Sequence, residues 1–280
     1  LERIDNMGLF NKIKNIFTNK QETVKNYDKG LEKTRKEFVS QLSNLSKKYK
    51  NIEYIIIDGA SSDGSIDIIK RYTHQYPHII KYVSEPDSGV YSAINKGIAM
   101  ATGDIVGLLH GNDEFSSYDV VEQVVAKFGS TNASFLYGDV KYRTLDGKIV
   151  RYYSSDNFAK EKLLQGIAPP HPSLYMRRDL FYRYGFYKED YLIGADFDMF
   201  LRLMVVNDLC GEYLPLDMVT MSVGGLSTRL YHRIFTNNRE KYRALKENSC
   251  NVNVFLLLKR YLCTLKSFRK KTQLRNAKNK

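Results

Sequence analysis

The first half of the chain alternates between short apolar runs and longer stretches with helical spacing of apolar residues. The apolar runs are typical of buried strands and cover residues 53–57, 79–83 and 105–109. The helical stretches, which follow these runs in turn, cover residues 66–76, 93–100 and 120–128. A strand–helix–strand order of this kind predicts an α/β fold with a mostly parallel sheet flanked by helices.

The pattern changes near residue 137. Two runs, at residues 140–145 and 148–153, flank Asp146 and Gly147, a pair that favours a hairpin turn. Apolar residues at helical spacing then predict an amphipathic helix over residues 197–205. The second half of this region therefore differs in architecture from the first, although it need not form a separate domain.

Both ends of the chain have basic residues around an apolar helical stripe. Residues 1–20 form an amphipathic basic segment, and residues 229–280 a basic helical tail. The net charge is +12, yet nine Lys or Arg and no acidic residue lie from Asn248 onward, which leaves 34 basic against 31 acidic residues elsewhere. Such a tail favours an anionic membrane surface, or else a helix packed on the body with a solvated end.

Composition excludes several classes of protein. The chain has 280 residues, of which 43% are hydrophobic and 26% charged, so it is globular rather than disordered. No apolar run reaches the 18 or so residues of a membrane span, and no secretory signal is visible. The nearly neutral body and the lack of a recognition module argue against a specific nucleic-acid partner. The three cysteines have no metal-type spacing, which favours a reducing, cytoplasmic location.

Acidic residues follow each of the three predicted strands. Asp58 ends the first, Glu85 and Asp87 follow the second, and Asp113 follows the third. In open α/β sheets, ligands bind beyond the carboxyl ends of the strands. Three acidic loops at one edge suit a hydrated divalent metal and a polar ligand. Taken singly, however, the loop at 58–65 could be a capped turn, and Asp113 a turn aspartate.

Three residues of the second half are candidates for chemistry, each with a simpler alternative. Asp196 opens the amphipathic helix, where an aspartate is most often an N-cap, and Asp198 would favour the helix dipole. His171 lies among three prolines that restrict its directions, and a lone histidine is more often structural than a ligand. The loop spacings match neither a phosphate-binding Walker loop nor a dinucleotide fingerprint.

In their order and spacing, these segments resemble the inverting family 2 glycosyltransferases of GT-A fold. The nearest similar proteins are the bacterial enzymes of O-antigen, capsule and exopolysaccharide assembly. The resemblance spans about residues 23–227 and rests on segments at residues 54–65, 84–97, 101–104, 110–113, 137–140, 195–198 and 224–227. It implies one GT-A domain at 21–228, with a nucleotide half at about 21–136 and an acceptor half at about 137–228.

The resemblance also implies roles for individual residues. Asp113 would be the ligand of a divalent metal, Mg²⁺ or Mn²⁺, and Asp196 the general base. His171 and Asp198 would lie near the diphosphate or the acceptor. The nucleotide would be contacted by Thr23, Asn26, Asp58, Asp87, Asn95, Lys96 and Asn112.

Together these implications predict a metal-dependent hexosyltransferase. It would use a nucleotide-sugar donor, with UDP as the expected nucleotide, and a lipid-linked saccharide acceptor in bacterial surface polysaccharide biosynthesis. Its expected location is cytoplasmic and peripheral, at the inner face of the cell membrane. Asn112 stands where similar enzymes carry an aspartate, and polar residues precede Thr23. These two features favour an alternative, a catalytically weakened nucleotide-sugar-binding or scaffold protein on the same fold.

Overall fold

The structure is a computed structural model that describes residues 52–111, 113–144, 147–222 and 235–250. The N-terminal segment, Thr23, Asn26, Asn112 and the tail beyond residue 250 lie outside the described residues, so the predictions for them stay predictions.

Two strands form a small parallel sheet. Strand β1 (Tyr54–Asp58) pairs with β2 (Ile80–Ser84), and helix α1 (Ser65–Gln75) connects them. The register places Asp58 opposite Ser84, so both strands end at the same level. Helix α2 (Val90–Met100) follows, three residues longer at its start than the sequence predicted.

A second sheet holds the other six strands. They are β3 (Ile105–Gly107), β4 (Glu114–Phe115), β5 (Phe135–Arg143), β6 (Ile149–Tyr153), β7 (Tyr175–Arg177) and β8 (Gly211–Ser222). The order is β3-β7-β5-β8-β4, with β6 also paired to β5. Only β5 and β8 run parallel here, and the other pairs are antiparallel.

The predicted α/β fold and the predicted hairpin are confirmed, while the second sheet is more mixed than the strand–helix order suggested. Strands β5 and β6 form the hairpin, and Gly147 takes a φ of 81° in its turn. Strand β3 ends at Gly107, earlier than predicted, because it pairs with β7 from the second half of the chain. A Cβ on Gly107 would lie 2.2 Å from the ring of Tyr175, so this position requires glycine.

Helices cover both faces of the second sheet. They are α3 (Val120–Gly129), α4 (Asp179–Tyr184), α5 (Ala195–Phe200), which continues as a π-helical turn (Leu201–Val206), and α6 (Asn237–Glu247). Two short 3₁₀ turns, Lys160–Gln165 and His171–Ser173, complete the described helical structure.

The core has two parts, one on each face of β5. Phe135 packs with α5 and its π-helical extension, whereas the next residue, Leu136, packs with Val120 and Val124 of α3. Successive residues of a strand point to opposite faces, which explains this division. The first of these two parts carries the start of α5, and hence Asp196.

Helix α6 packs on the body although it lies beyond the predicted boundary at residue 228. Ala244 and Leu245 have no exposed surface and join the core around α5. The packed body therefore reaches at least to the end of α6. Among the described helices, none has both the length and the apolar character that crossing a membrane requires.

Candidate active site

Asp58 orders the first loop beyond the small sheet. Its Oδ2 accepts a hydrogen bond from the Ser84 hydroxyl at 2.7 Å and another from the Ser61 backbone N–H at 3.0 Å. These bonds from Ser61 and Ser84 hold the pKa of Asp58 below its usual range, despite its burial. The carboxylate is therefore ionised and ties the loop at 59–64 to the end of β2.

The next loop brings two further carboxylates to the same place. Lys96 Nζ lies 2.5 Å from Asp87 Oδ1 and 2.8 Å from Glu85 Oε1. Hydrogen bonds to Asp87 and then to Glu85 raise the pKa of Lys96. A Cβ on Gly59 would lie 3.2 Å from Asp87 Oδ2, so the two loops touch. We call Asp58, Glu85, Asp87 and Lys96 the acidic corner.

Asn95, which lies beside Lys96 on α2, contacts the second half of the chain. Its Nδ2 donates to the carbonyl oxygen of Tyr187 at 2.8 Å and to Glu189 Oε1 at 2.9 Å. Its Oδ1 accepts from the N–H of Tyr187 at 3.1 Å. Asn95 therefore connects helix α2 to the segment that carries Tyr187 and Glu189. The nucleotide contact expected of Asn95 stays a prediction.

Asp113 carries an unsatisfied carboxylate oxygen. Its Oδ2 is buried and has no hydrogen-bond partner within the part of the chain that the structure describes. Burial raises its pKa to about 6, against the opposing effects of the Ser222 backbone N–H and the positive charge of Arg143. A buried, unpartnered acceptor is costly unless a ligand completes it.

Asp196 lies in the first turn of α5, where its carboxylate is largely surrounded by protein although the residue as a whole is only partly buried. Phe197 N–H donates to its Oδ1 at 2.8 Å. Burial raises its pKa, although Lys241, the local backbone N–H groups and His110 act in the opposite direction. A carboxylate with a raised pKa in a cleft is a candidate general base.

Two imidazoles, the buried His171 and the partly buried His110, lie close to each other. The rings of His110 and His171 are 5.8 Å apart, and His171 Nε2 lies 2.9 Å from the hydroxyl of Tyr187. Burial lowers the pKa of both histidines to about 4, so both are neutral near pH 7. His110 lies close enough to Asp196 for their charges to interact.

Asp198 has a different environment from Asp196, although only one residue separates them. Its side chain has no exposed surface. Its Oδ1 accepts from Lys188 Nζ and Asn248 Nδ2, both at 2.9 Å, and its Oδ2 accepts from Arg202 Nε at 2.9 Å. In this conformation Asp198 holds the body together and offers no free surface to a diphosphate or an acceptor.

The structure therefore gathers the predicted residues into two groups. Asp58, Asp87 and Lys96 meet in the acidic corner. Asp196 and His171 each lie near His110, and the loop that carries His110 also carries Asp113, whose N–H donates to the His110 carbonyl at 2.9 Å. Helix α2 joins the two groups.

Sequence reasoning did not single out Tyr91, Tyr187 or Lys241. The hydroxyl of Tyr91 accepts a hydrogen bond from the N–H of Ala195, next to Asp196. One signal was available: Tyr91 precedes Asn95 by four residues, so both lie on one face of α2. No local pattern marks Tyr187 or Lys241, because their partners are distant in the sequence.

The fold is the GT-A-like fold of glycosyltransferases, a curled mixed sheet flanked by helices. Within that class, the chain belongs to the family Glycosyl transferase family 2, whose sequence profile matches residues 23–189, more than half of the chain. The prediction of family and of enzyme class is confirmed. The narrower link to O-antigen, capsule or exopolysaccharide assembly stays a prediction.

Several similar curated proteins are mycobacterial. An uncharacterized glycosyltransferase of Mycobacterium tuberculosis is 36% identical over 180 residues, which cover 63% of this chain and 64% of that protein. A PGL/p-HBAD biosynthesis glycosyltransferase of Mycobacterium bovis is 28% identical over 187 residues, covering 66% of this chain and 71% of that protein. The chain thus spans slightly less than two thirds of the first relative's length.

Solved structures share the fold at low identity. A crystal structure of S. aureus TarS with UDP-GlcNAc has a TM-score of 0.56 at 13% identity, covering 79% of this chain and 67% of that one. The mannosyltransferase PcManGT from Pyrobaculum calidifontis, in complex with GDP-Man and Mn²⁺, has a TM-score of 0.50 at 16% identity, covering 82% and 69%.

Proposed function

We propose that the protein is a metal-dependent inverting glycosyltransferase. It moves a sugar from a nucleotide-sugar, with UDP as the nucleotide, to a hydroxyl group of a lipid-linked saccharide in bacterial surface polysaccharide biosynthesis. The observation that carries this proposal is the carboxylate of Asp196, which lies in the first turn of α5, has a pKa raised by burial and lies near His110, an imidazole that is neutral near pH 7.

Asp196 supplies the base that the reaction needs. The acceptor hydroxyl is a weak nucleophile until a positioned carboxylate takes its proton, an effect typically worth about 10²–10⁴-fold in rate. The acceptor oxygen forms a bond to the anomeric carbon, the bond from that carbon to the diphosphate oxygen breaks, and the proton passes to Asp196. The nucleoside diphosphate leaves, and the anomeric centre is inverted in one displacement.

The acidic corner is the proposed donor side. Asp58 and Asp87 lie at the carboxyl ends of parallel strands, where α/β sheets bind their ligands. Two structures of similar fold support a nucleotide-sugar donor, since TarS has been solved with UDP-GlcNAc and PcManGT with GDP-Man.

A divalent metal fits Asp113. The buried Oδ2 of Asp113 has no hydrogen-bond partner among the described residues, and a carboxylate oxygen is a preferred ligand of a hard divalent cation. Across the described ranges, no three side chains of the His, Cys, Asp or Glu type gather as a metal site. Asp113 would therefore be the protein's ligand, and diphosphate and water oxygens would complete a Mg²⁺ or Mn²⁺ shell. Such an ion would neutralise the charge that builds up on the leaving diphosphate.

A peripheral membrane location agrees with a lipid-linked acceptor. Nine basic residues and no acidic ones lie from Asn248 onward, and such segments bind anionic lipid headgroups. The test is co-sedimentation with vesicles containing anionic lipid. Full-length protein should pellet, whereas protein truncated after residue 250, the last residue that the structure describes, should remain in the supernatant. Equal pelleting would refute the role of the tail.

The central experiment is a donor screen read as nucleotide release. Wild-type protein with Mn²⁺ and a lipid-linked saccharide is offered UDP-GlcNAc, UDP-glucose and GDP-mannose. Asp196→Asn should bind the active donor with unchanged affinity and lose transfer by about 10²–10⁴-fold. Asp179→Asn, an exposed aspartate on α4, is the matched control and should keep full activity. Transfer that survives in Asp196→Asn would refute this base.

The alternative is a nucleotide-sugar-binding or scaffold protein on the same fold. Asn112 favours it, because an amide replaces a negative charge beside Asp113. Calorimetry with UDP and Mn²⁺ separates the two functions: tight binding without turnover across the donor panel would support the scaffold.

A further inference from the structure

The start of α5 is held by a side chain from the other half of the molecule. Helix α5 has no side-chain cap of its own at Gly194. Instead, the N–H of Ala195 donates to the hydroxyl oxygen of Tyr91 at 3.2 Å. The first N–H groups of a helix need acceptors, and Tyr91 supplies one from 104 residues away.

Tyr91 is itself fixed in place. Its side chain is 5% exposed, and its ring stacks on Tyr187 with centroids 5.9 Å apart and planes 19° apart. The Tyr187 hydroxyl is bonded to His171, and the Tyr187 backbone is held by Asn95. The hydroxyl oxygen of Tyr91 therefore has little freedom to move away from the start of α5.

The helix that carries Tyr91 also carries part of the acidic corner. Helix α2 begins at Val90, directly after the loop with Glu85 and Asp87. Five residues beyond Tyr91, Lys96 of the same helix is ion-paired with both of these carboxylates. One rigid element thus connects the proposed donor side to the first turn of α5.

We propose that Tyr91 is a positioning residue for Asp196: its hydroxyl takes the place of the missing helix cap, and α2 links that cap to the acidic corner. This inference rests on the proposed function, because it assumes that Asp196 is the base. Tyr91 acts through the backbone of α5 and not on the reacting atoms.

The structure indicates what the loss of this hydroxyl would do. The freed N–H of Ala195 would need another acceptor, and the carboxylate of the next residue, Asp196, already accepts from a backbone N–H at this helix start, that of Phe197. That carboxylate would turn toward the helix start and away from the acceptor. It would also gain hydrogen bonds to its charged form, which lowers a pKa. The groups on other elements that interact with this carboxylate are unchanged: His110, Tyr187 and Lys241. Glu240, whose charge acts on Tyr91, is also unchanged.

The test compares Tyr91→Phe with Tyr72→Phe. Tyr72 is a matched control, a buried tyrosine on α1 whose hydroxyl has no partner among the residues described. In Tyr91→Phe we expect the donor affinity to stay within twofold, while kcat falls by roughly 10–100-fold, since small displacements of a catalytic group have effects of this size. The acid limb of the kcat–pH profile should move to lower pH. Tyr72→Phe should match the wild type in all three.

A second measurement does not depend on turnover. Amide hydrogen exchange over residues 194–198 should be faster in Tyr91→Phe than in the wild type and unchanged in Tyr72→Phe. Unchanged exchange, an unchanged kcat and pH profile, or a loss of donor affinity equal to the loss of kcat would overturn the proposal. If the wild type transfers no sugar, the proposed function fails, and the exchange data still decide whether Tyr91 holds the start of α5.

Discussion

Asn95 binds both polar groups of the Tyr187 backbone, with its amide nitrogen 2.8 Å from the carbonyl oxygen and its amide oxygen 3.1 Å from the backbone nitrogen. The two residues are 92 positions apart. The side-chain amide of Asn95 thus makes the two backbone hydrogen bonds that a neighbouring β-strand would otherwise make to Tyr187. Because Tyr187 in turn contacts His171 and Tyr91, this pair fixes one wall of the candidate active site.

Asn95→Ala should lower the free energy of unfolding. Removing the amide leaves the N–H and carbonyl of Tyr187 without their partner, which costs about 1–3 kcal/mol. Urea denaturation with an unchanged m-value would measure the loss. Asn157→Ala is the control, because Asn157 is exposed and its amide bonds only to neighbouring Asp156. An equal effect of the two substitutions would contradict the role of the Asn95 contact.

The elements of the first half could be predicted because each carries its own signal. Apolar runs marked β1 and β2, and apolar spacing marked α1 and α3. The ends of the helices carry weaker signals. Helix α2 begins at Val90 rather than at residue 93, directly after Gly89, which has a φ of 147° and offers no side chain as a cap. The sequence did not predict β7, because three residues are too few to show the alternation of apolar and polar residues that marks a strand.

The site was predicted less completely than the fold, for a physical reason. The order of strands and loops was enough to place Asp58 and Asp87 together, since both follow strands of the small parallel sheet. Asp113 follows β3, which lies in the other sheet, so it is not grouped with them as the sequence suggested. The environment of Asp198 depends on Lys188 and on α6, and no local pattern shows which distant residues will surround a buried carboxylate. The resemblance implied that Asp198 lies near the diphosphate or the acceptor. In the structure, both carboxylate oxygens of Asp198 accept hydrogen bonds from other side chains of the protein.

Asp113→Asn should stabilise the metal-free protein above pH 6. Burial raises the folded-state pKa of Asp113 from 3.8 to about 6, so the folded protein resists an ionisation that the unfolded chain accepts. This cost is absent below the unfolded pKa and complete above the folded one. In EDTA, the variant should gain about 1–3 kcal/mol of unfolding free energy at pH 7.5 and almost nothing at pH 3.5.

With Mn²⁺ and UDP present, the wild type should be the more stable of the two proteins. Ligands that bind only the folded state raise its stability. The wild type should therefore show a rise in Tm with Mn²⁺ and UDP, and Asp113→Asn should show a much smaller one. Asp156→Asn, which replaces an exposed carboxylate, serves as the control for both experiments. A full Tm rise in Asp113→Asn would argue against Asp113 as the metal ligand.

The two buried histidines should make the protein sensitive to mild acid. Burial lowers the folded-state pKa of His110 and His171 to about 4, below the ordinary value of 6.5. Their contribution to stability is present above pH 6.5 and is lost as the pH falls toward 4, because the unfolded chain takes up protons first. Each histidine should account for up to about 3 kcal/mol of this loss.

His171→Gln tests this origin of the acid sensitivity. Glutamine keeps a polar partner for the Tyr187 hydroxyl but does not titrate, so unfolding free energy should fall less steeply between pH 6.5 and pH 4 than in the wild type. His78→Gln replaces an exposed imidazole and should leave the wild-type slope unchanged. Identical slopes in all three proteins would assign the acid sensitivity to other groups.

Asp198→Asn should be the most destabilising of the aspartate substitutions. It leaves the partly exposed Arg202 and Lys188 beside a neutral side chain that itself has no exposed surface, and breaking a buried ion pair costs about 3–5 kcal/mol. The chain offers a matched pair at the same spacing of four residues, since Asp179 faces Arg183 at 3.5 Å with both side chains more than half exposed. Asp179→Asn should change the unfolding free energy by less than about 0.5 kcal/mol. Chemical denaturation at neutral pH compares them, and similar losses would mean that burial does not decide the strength of these pairs.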